Sequence, residues 1–528
     1  MNSYLLLAGV VIGACVLLHR FAEKLPVPSL LIFIALGMFF GENGPLGIVF
    51  NEYAISENIC SACLIVVMFY GGFGTNIRVA RPVVARAFSL ASMGVFLTAA
   101  FVGLFAHYAL GLGWMESFLI GAVLSSTDAA SVFNILRSQK MALKDHTDSL
   151  LELESGSNDP MSYLLTVVMV SLMTGQEISV PILFLQQMAF GALGGILVGW
   201  GAVLLLNRFD FSMAQGKTIF VFAVAIIAYA LPNAVGGNGY LSVYLCGILM
   251  GNRYFPGKRD LVHFFDAVTG ISQMMIFFLL GLLVTPVELP QILLPAILIM
   301  AFMTIIGRPL ASAAVLLPFR SSLRQIGIVS WAGLRGVASI VFAIYVMLHQ
   351  VNMTFNIFNL VFCVVLLSLS LQGTLLPWVS KKLDMIDQKA DIQKTFNDYQ
   401  EDTNISFVKI HVDADSGMVH KKLSTLSLPG GFLIVVIIRG EENIIPNGET
   451  EILPGDLLVA AAREFENRRN LYLYEINVDK SHKWTGKPLK EIDAGKVLVV
   501  LVKREAKTII PNGETEILPG DTLVLAKF

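Results

Sequence analysis

Of the 17 lysines and arginines in residues 1–380, 15 fall in alternate gaps between long apolar runs, and the intervening gaps hold none. Thirteen such runs begin near residues 3, 25, 58, 83, 114, 149, 181, 217, 239, 262, 290, 325 and 355. All but the short ninth approach the roughly 20 apolar residues that a membrane-crossing helix needs. The odd-numbered gaps carry Arg20 and Lys24; Arg78, Arg81 and Arg86; Arg137, Lys140 and Lys144; Arg208 and Lys217; Arg253, Lys258 and Arg259; Arg320 and Arg324. A miscounted run would mix the two classes of gap, so the segregation argues for thirteen spans. The positive-inside rule then puts the odd loops in the cytoplasm, the N-terminus outside and the segment after the last span inside. The first run, Leu5 to Leu18, lacks the basic start and small-residue cleavage site of a signal peptide and is read as a span.

The chain changes character at Trp378–Lys382. Charged residues number 33 in the first 380 positions and 43 in the remaining 148. Over all 528 residues 55% are hydrophobic and 14% charged, with a net charge of -2 and a mean hydropathy of +0.70. That balance excludes a disordered chain and a nucleic-acid binder built on global charge, and it leaves too few polar side chains to cover a soluble enzyme. The five cysteines (Cys15, Cys60, Cys63, Cys246 and Cys363) all lie in apolar stretches. Cys60 and Cys63 form a C-x-x-C with no second pair or nearby histidine, which reads as packing and not zinc. Residues 1–380 are thus a membrane domain, and the polar stretch 381–404 reads as a linker helix.

Two arginines and five acids remain inside the spans: Arg308 and Arg335, with Asp128, Glu152, Glu154, Asp159 and Asp266. Charges at bilayer depth are costly and need a partner, a cavity or a function. Glu152 and Asp266 read as interface positions near helix ends. Asp128 ends the run Ser125-Ser126-Thr127-Asp128, whose side chains compete with the helical backbone for hydrogen bonds and predict a broken helix. Gly333-Leu-Arg335-Gly336 interrupts a span at the comparable place in the other half. Paired interrupted helices point to a binding site at the interface of inverted repeats.

In Glu154-Ser155-Gly156-Ser157-Asn158-Asp159, helical spacing places Ser155 with Asp159 on one face and Glu154 with Asn158 on another. Pro160 removes a backbone donor and loosens the carbonyl of Gly156. Asp128 and Asp159, two carboxylates in a low-dielectric setting, could hold either a proton or a hard monovalent cation near neutral pH. Competition for one site plus alternating exposure suffices for antiport. Either Arg308 or Arg335 is the expected partner for Glu154, because an unpaired buried charge is very costly.

Together these pieces resemble the NhaP-like branch of the monovalent cation:proton antiporters over residues 1–380. The resemblance rests on Thr127-Asp128 in the fifth span, Glu154-Ser155-x-x-Asn158-Asp159 in the sixth, Arg308 in the eleventh and Gly-Leu-Arg335-Gly in the twelfth. It implies a homodimer in which a six-helix core moves against a dimerisation scaffold. It also implies that Asp159 is the exchanging carboxylate, surrounded by Asp128, Thr127, Ser155 and Asn158. The pair Asn158-Asp159, in place of two aspartates, is the pattern of electroneutral exchange. Relatives often show an acidic residue before a glycine pair in the third span, where this chain has Tyr70-Gly71-Gly72. Tyr70 either replaces an ion-facing carboxylate or simply packs.

The tail repeats itself: Ile444 to Asp456 recurs unchanged as Ile509 to Asp521. Each copy carries Asn-Gly and Pro-Gly-Asp turns between aliphatic runs, which predicts two small β-rich units at 405–462 and 471–528. They resemble the TrkA-C subdomain of regulators of potassium conductance, twice over. No G-x-G-x-x-G phosphate loop accompanies them, so NAD is not expected. The resemblance implies a cleft for a small regulatory ligand, a cyclic dinucleotide among the candidates, or else a purely structural pair.

The resulting expectation is a polytopic α-helical protein of the cell membrane with an α+β cytoplasmic tail. It would exchange K⁺ for H⁺ and have membrane lipid around it, with no cofactor, resident metal or nucleic-acid partner. The alternatives are Na⁺/H⁺ exchange, a ligand-gated cation channel and an intramembrane aspartyl protease. No filter-like run of backbone carbonyls supports the channel. The protease would need its two aspartates to share a proton, and the Asn158 neighbour and the paired broken helices favour transport.

Overall fold

The computed structural model describes most of residues 30–387 and 405–527, with Gly9, Gly13, Ala14 and Leu17 before them. The rest of 1–29, residues 388–404 and short stretches such as 176–178, 210–214, 427–432 and 464–471 lie outside the described set. The expected first span, Cys15, Arg20, Lys24, Lys140 and most of the linker therefore fall outside it. The chain divides into two compact units, 1–393 and 394–528.

The membrane unit is built from long apolar helices. They are α1 (Leu30–Phe40), α2 (Tyr53–Gly74), α3 (Val84–Leu110), α4 (Trp114–Val123) and α5 (Ala129–Ser138). Next come α6 (Thr147–Met173), α7 (Val180–Arg208), α8 (Gly216–Ala234), α9 (Gly239–Gly251) and α10 (Lys258–Leu283). The last are α11 (Leu289–Phe319), α12 (Leu323–Trp331), α13 (Val337–Leu348) and α14 (Ile357–Lys382). Among the described residues seven helices are long and apolar enough to cross a membrane by themselves. Two further segments are broken helices, α4–α5 and α12–α13, each interrupted where hydroxyl, carboxylate or glycine residues replace the apolar run. α7 presents an apolar outer face, with Ile182, Leu185, Leu193, Leu197 and Trp200 all exposed.

Lipid tails are as apolar as leucine, so helices associate in a membrane through close approach of small residues. Here α2 and α9 meet backbone to backbone. A Cβ on Gly72 would lie 2.3 Å from the Tyr244 carbonyl, and one on Gly247 would lie 2.4 Å from that of Phe69. This contact fixes the height of α9 beside α6. Turns of π-helix at Leu90–Gly94, Met303–Gly307 and Ser368–Gly373 interrupt α3, α11 and α14. Such turns often re-aim side chains at functional sites. The second directly precedes Arg308. Beyond α14, Asp384 receives Lys144 and Arg324, each at 2.9 Å, and Leu143 bridges Ile386. The chain thus leaves the membrane unit tied to the loop before α6 and to the start of α12.

In the tail, each repeat folds into a four-stranded antiparallel sheet. The first has the order β1-β4-β2-β3, from Ile405–His411, Leu433–Arg439, Glu442–Ile444 and Leu457–Arg463. The second, β5-β8-β6-β7, uses Tyr472–Asn477, Val497–Arg504, Lys507–Ile509 and Thr522–Lys527. The identical segments build identical turns: Asn447 Oδ1 accepts from Glu449 N and Thr450 Oγ1, and Asn512 Oδ1 does the same for Glu514 and Thr515. Each turn ends in a buried aspartate gripped by an arginine on the neighbouring strand. Arg439 donates Nε and Nη2 to the two oxygens of Asp456 at 2.8 and 2.9 Å, and Arg504 grips Asp521 likewise at 2.8 Å.

These arginine hydrogen bonds hold both carboxyls below the usual carboxylate range. A carboxyl depressed in the folded state contributes stability above its unfolded pKa and loses it as pH falls through the folded value. Asp456→Asn should therefore weaken the first sheet by about 2 kcal/mol at pH 7, a figure held down by screening of the partly exposed arginine. The deficit should vanish in acid, as followed by urea unfolding of the tail at pH 7 and pH 3.

Candidate functional site

The two helix breaks cross each other. Asp128 N donates to Leu334 O at 2.8 Å, and Arg335 Nη1 donates to Ser126 O at 2.6 Å, so each break satisfies the other's freed backbone. Arg335 N is in turn anchored by Ser368 Oγ at 3.0 Å, on the π turn of α14. The crossing is so close that a Cβ on Gly336 would sit 2.2 Å from Asp128 Oδ2, so only glycine fits there.

Asp128 caps α5. Its Oδ1 accepts from Ser131 N at 3.2 Å and its Oδ2 from Ser131 Oγ at 2.6 Å, which satisfies a helix-end donor that would otherwise be unpaired. α6 runs unbroken past Pro160 and lies along the first break. Ser155 Oγ donates to Thr127 O at 2.7 Å, and Asn158 Nδ2 donates to Thr127 Oγ1 at 2.6 Å. Thr127 N donates back to Asn158 Oδ1 at 3.4 Å. The Ser126 hydroxyl donates to Asp159 Oδ1, and Asp128 is near enough to Asp159 to interact with it electrostatically. Thr127, Ser155 and Asn158 are buried, whereas Asp128 and Asp159 remain partly accessible. The five residues named from the sequence are therefore neighbours, with carboxylate, hydroxyl and carbonyl oxygens suited to a hard monovalent cation. Among the described residues no three His, Cys, Asp or Glu side chains cluster as a resident metal site.

Arg308 is the residue that forms the salt bridge with Glu154, both 1% exposed. Arg335, the alternative partner, bonds the Ser126 carbonyl instead. Tyr70 donates to Asp266 on α10 at 3.2 Å. Asp266 is the ninth residue of that helix and is exposed. Away from the Lys/Arg-bearing end, one turn beyond Asp159, Tyr163 packs against Tyr240, Phe342 and Tyr345 with ring centroids 5.0, 5.5 and 5.8 Å apart. Ser131 and Ser368 were not singled out from the sequence, and Ser126 and Gly336 entered only as members of the runs that predict the breaks. The hydroxyl run before Asp128 carried a signal for Ser126, whereas Ser368 carries only that of a polar residue in an apolar span.

Many apolar helices around two crossed broken helices and a pair of carboxylates define a secondary transporter. Residues 9–382 match the transmembrane sodium/hydrogen exchanger family, and residues 407–464 and 473–526 each match the TrkA-C domain. The chain belongs to that exchanger family: it is a multi-pass cation/proton antiporter with a TrkA-C tail, and not an enzyme.

It is 33% identical over 472 residues to the K(+)/H(+) antiporter NhaP2 of Shewanella sp. (strain ANA-3), spanning 88% of this chain and 82% of that one. To the K(+)/H(+) antiporter NhaP of Alkalimonas amylolytica it is 34% identical over 447 residues, 84% of this chain and 78% of that one. The Na(+)/H(+) antiporter ApNhaP of Aphanothece halophytica is more distant, 25% identical over 417 residues, covering 75% and 77%. Among solved structures, the sodium proton antiporter MjNhaP1 of Methanocaldococcus jannaschii has a TM-score of 0.64 at 20% identity. That match covers 71% of this chain and 97% of MjNhaP1, and it establishes a shared fold.

Proposed function

We propose that this protein exchanges one K⁺ for one H⁺ at Asp159, electroneutrally, with Asp128, Thr127, Ser155 and Asn158 completing the site. The charge balance at the crossing carries the reading. Asp128, Glu154 and Asp159 against Arg308 and Arg335 leave one net negative charge when all are ionised. One monovalent cation or one proton neutralises it, and binding both would leave an uncompensated positive charge in a low-dielectric region. Exchange of one for the other follows.

K⁺ is favoured over Na⁺ by the relatives at 33% and 34% identity, both named K(+)/H(+) antiporters. The segregation of Lys and Arg supports a cytoplasmic tail and an outside N-terminus in a cell membrane. On this reading the protein is a homodimer, and its TrkA-C tail regulates transport by binding a small ligand such as a cyclic dinucleotide.

The test uses everted vesicles holding a respiration-driven proton gradient reported by a pH dye. K⁺ is expected to relieve quenching at lower concentration than Na⁺, without changing the membrane potential. A response to Na⁺ alone would overturn the choice of ion.

A further inference from the structure

Between Asp159 and the Lys/Arg-bearing end of α6 lies a second set of oxygens that the exchange site does not use. Asp148, Glu152, Gly156 and Asp159 follow one another at helical spacing, and all four stay partly accessible while their neighbours Leu151, Leu153 and Ser155 are buried. They form one open stripe along α6.

At its midpoint Gly156 makes room for Tyr244 of α9: a Cβ there would lie 2.5 Å from the Tyr244 hydroxyl oxygen and nearer still to the ring. Tyr244 is 1% exposed and its hydroxyl lies beside the hydroxyls of Thr75 and Ser157, yet neither Tyr244 nor the buried Oγ of Ser157 closes a well-formed hydrogen bond with a described residue. A buried hydroxyl without a well-formed hydrogen bond is destabilising, and a cation set among these oxygens would supply the missing partner. Glu152 and Asp159, one helical turn to either side of Gly156, are both within electrostatic reach of Tyr244. Thr75 Oγ1 lies 3.4 Å from Glu152 Oε1 while donating to Gly71 O at 2.9 Å, and Asn252 Nδ2 fixes the Thr75 carbonyl at 2.8 Å.

We propose that Glu152, Thr75, Ser157 and Tyr244 form a second binding station for the transported monovalent cation, reached from the Lys/Arg-bearing face before Asp159. The oxygens supplied are a carboxylate, two aliphatic hydroxyls and a phenol, enough to replace part of the hydration shell of K⁺ or Na⁺. The Glu152 end of the station lies two helical turns, about 10 Å, from Asp159 along α6. An ion there is drawn on by the net negative charge at the crossing, and the Tyr244 ring on Gly156 sets the width between the two sites. Glu152 thereby acts in binding, where the sequence suggested an interface position.

This inference rests on the antiport reading, and the experiment separates the two. Full-length protein is assayed in everted vesicles, which present the Lys/Arg-bearing face, and in right-side-out vesicles, with K⁺ as the probe. Glu152→Gln is expected to raise the K⁺ KM on the Lys/Arg-bearing face about tenfold, equivalent to one lost charge contact of about 1.4 kcal/mol. On the opposite face the shift should be under about twofold. Glu152→Asp should restore most of the affinity. Tyr244→Phe, which keeps the ring on Gly156, should raise KM about threefold on the same face. Unchanged KM in both Glu152→Gln and Tyr244→Phe would overturn the station, as would equal increases on both faces. Wild-type protein that exchanges neither K⁺ nor Na⁺ for H⁺ would overturn the antiport reading and the station with it.

Discussion

Asp159→Asn is expected to abolish cation-dependent proton movement, lowering the exchange rate roughly a hundredfold or more. The substitution is nearly isosteric, and an amide can still accept from the Ser126 hydroxyl that now donates to Asp159. What it removes is the ability to hold a proton or a full negative charge. With Asn at 159, Asp128 and Glu154 exactly offset Arg308 and Arg335, so the crossing no longer gains by taking a cation. The conformational change that carries the site across the membrane would then run empty or not at all. Dye dequenching by K⁺ in everted vesicles measures the loss directly. A channel with the same tail would respond differently, keeping downhill cation flux with altered selectivity because its conduction needs no proton competition. Retained electrogenic K⁺ flux in the variant would therefore overturn the antiport mechanism, and retained coupled exchange would remove Asp159 from its central role.

The broken helices were legible because their causes are local. Ser125, Ser126, Thr127 and Asp128 disfavour a helix wherever they sit, and Gly333 and Gly336 flank Arg335 with residues that leave the backbone free. The tail was legible for another reason: thirteen identical residues carry the same turn chemistry twice. Partner choices were not legible, because they depend on how helices cross. Arg308 and Arg335 both stand in apolar spans, and only the π turn before Arg308 and the approach of α11 to α6 decide which reaches Glu154. Tyr244 is one of two tyrosines in a short span, and its meaning comes from the missing side chain of Gly156, 88 positions away. The bond from Asp128 N to Leu334 O involves only backbone and leaves no trace in residue type. Likewise the order β1-β4-β2-β3 pairs the first and last strands of each module, a non-local choice that turn signals do not specify.

Arg308→Met is expected to destabilise the membrane unit by about 3–5 kcal/mol, because it strands Glu154 in a site where the carboxylate is 1% exposed. The same sum applies to Glu154→Met, which strands the guanidinium. The pair is not strongly favourable in itself: Glu154 Oε2 and Arg308 Nε and Nη1 have no hydrogen-bond partner among the described residues. Two desolvated ions with incomplete hydrogen bonding recover little beyond their mutual attraction. Replacing both by methionine should therefore cost far less than replacing either one. The measurement is the yield of monodisperse, detergent-extracted protein and its thermal midpoint for the two single variants and the double variant. Single variants should lose several-fold in folded yield, and the double variant should recover most of it. Transport by the recovered double variant then reports what the pair does besides stabilise. Arg308 Nε would lie 3.1 Å from a Cβ on Gly333, so the guanidinium props the second helix break from beneath. Loss of the prop should leave the double variant folded but slow, with the crossing loosened and the net charge at the site unchanged. Full-speed exchange by the double variant would reduce the pair to a packing element. Single variants as stable as wild type would show that Glu154 finds another partner.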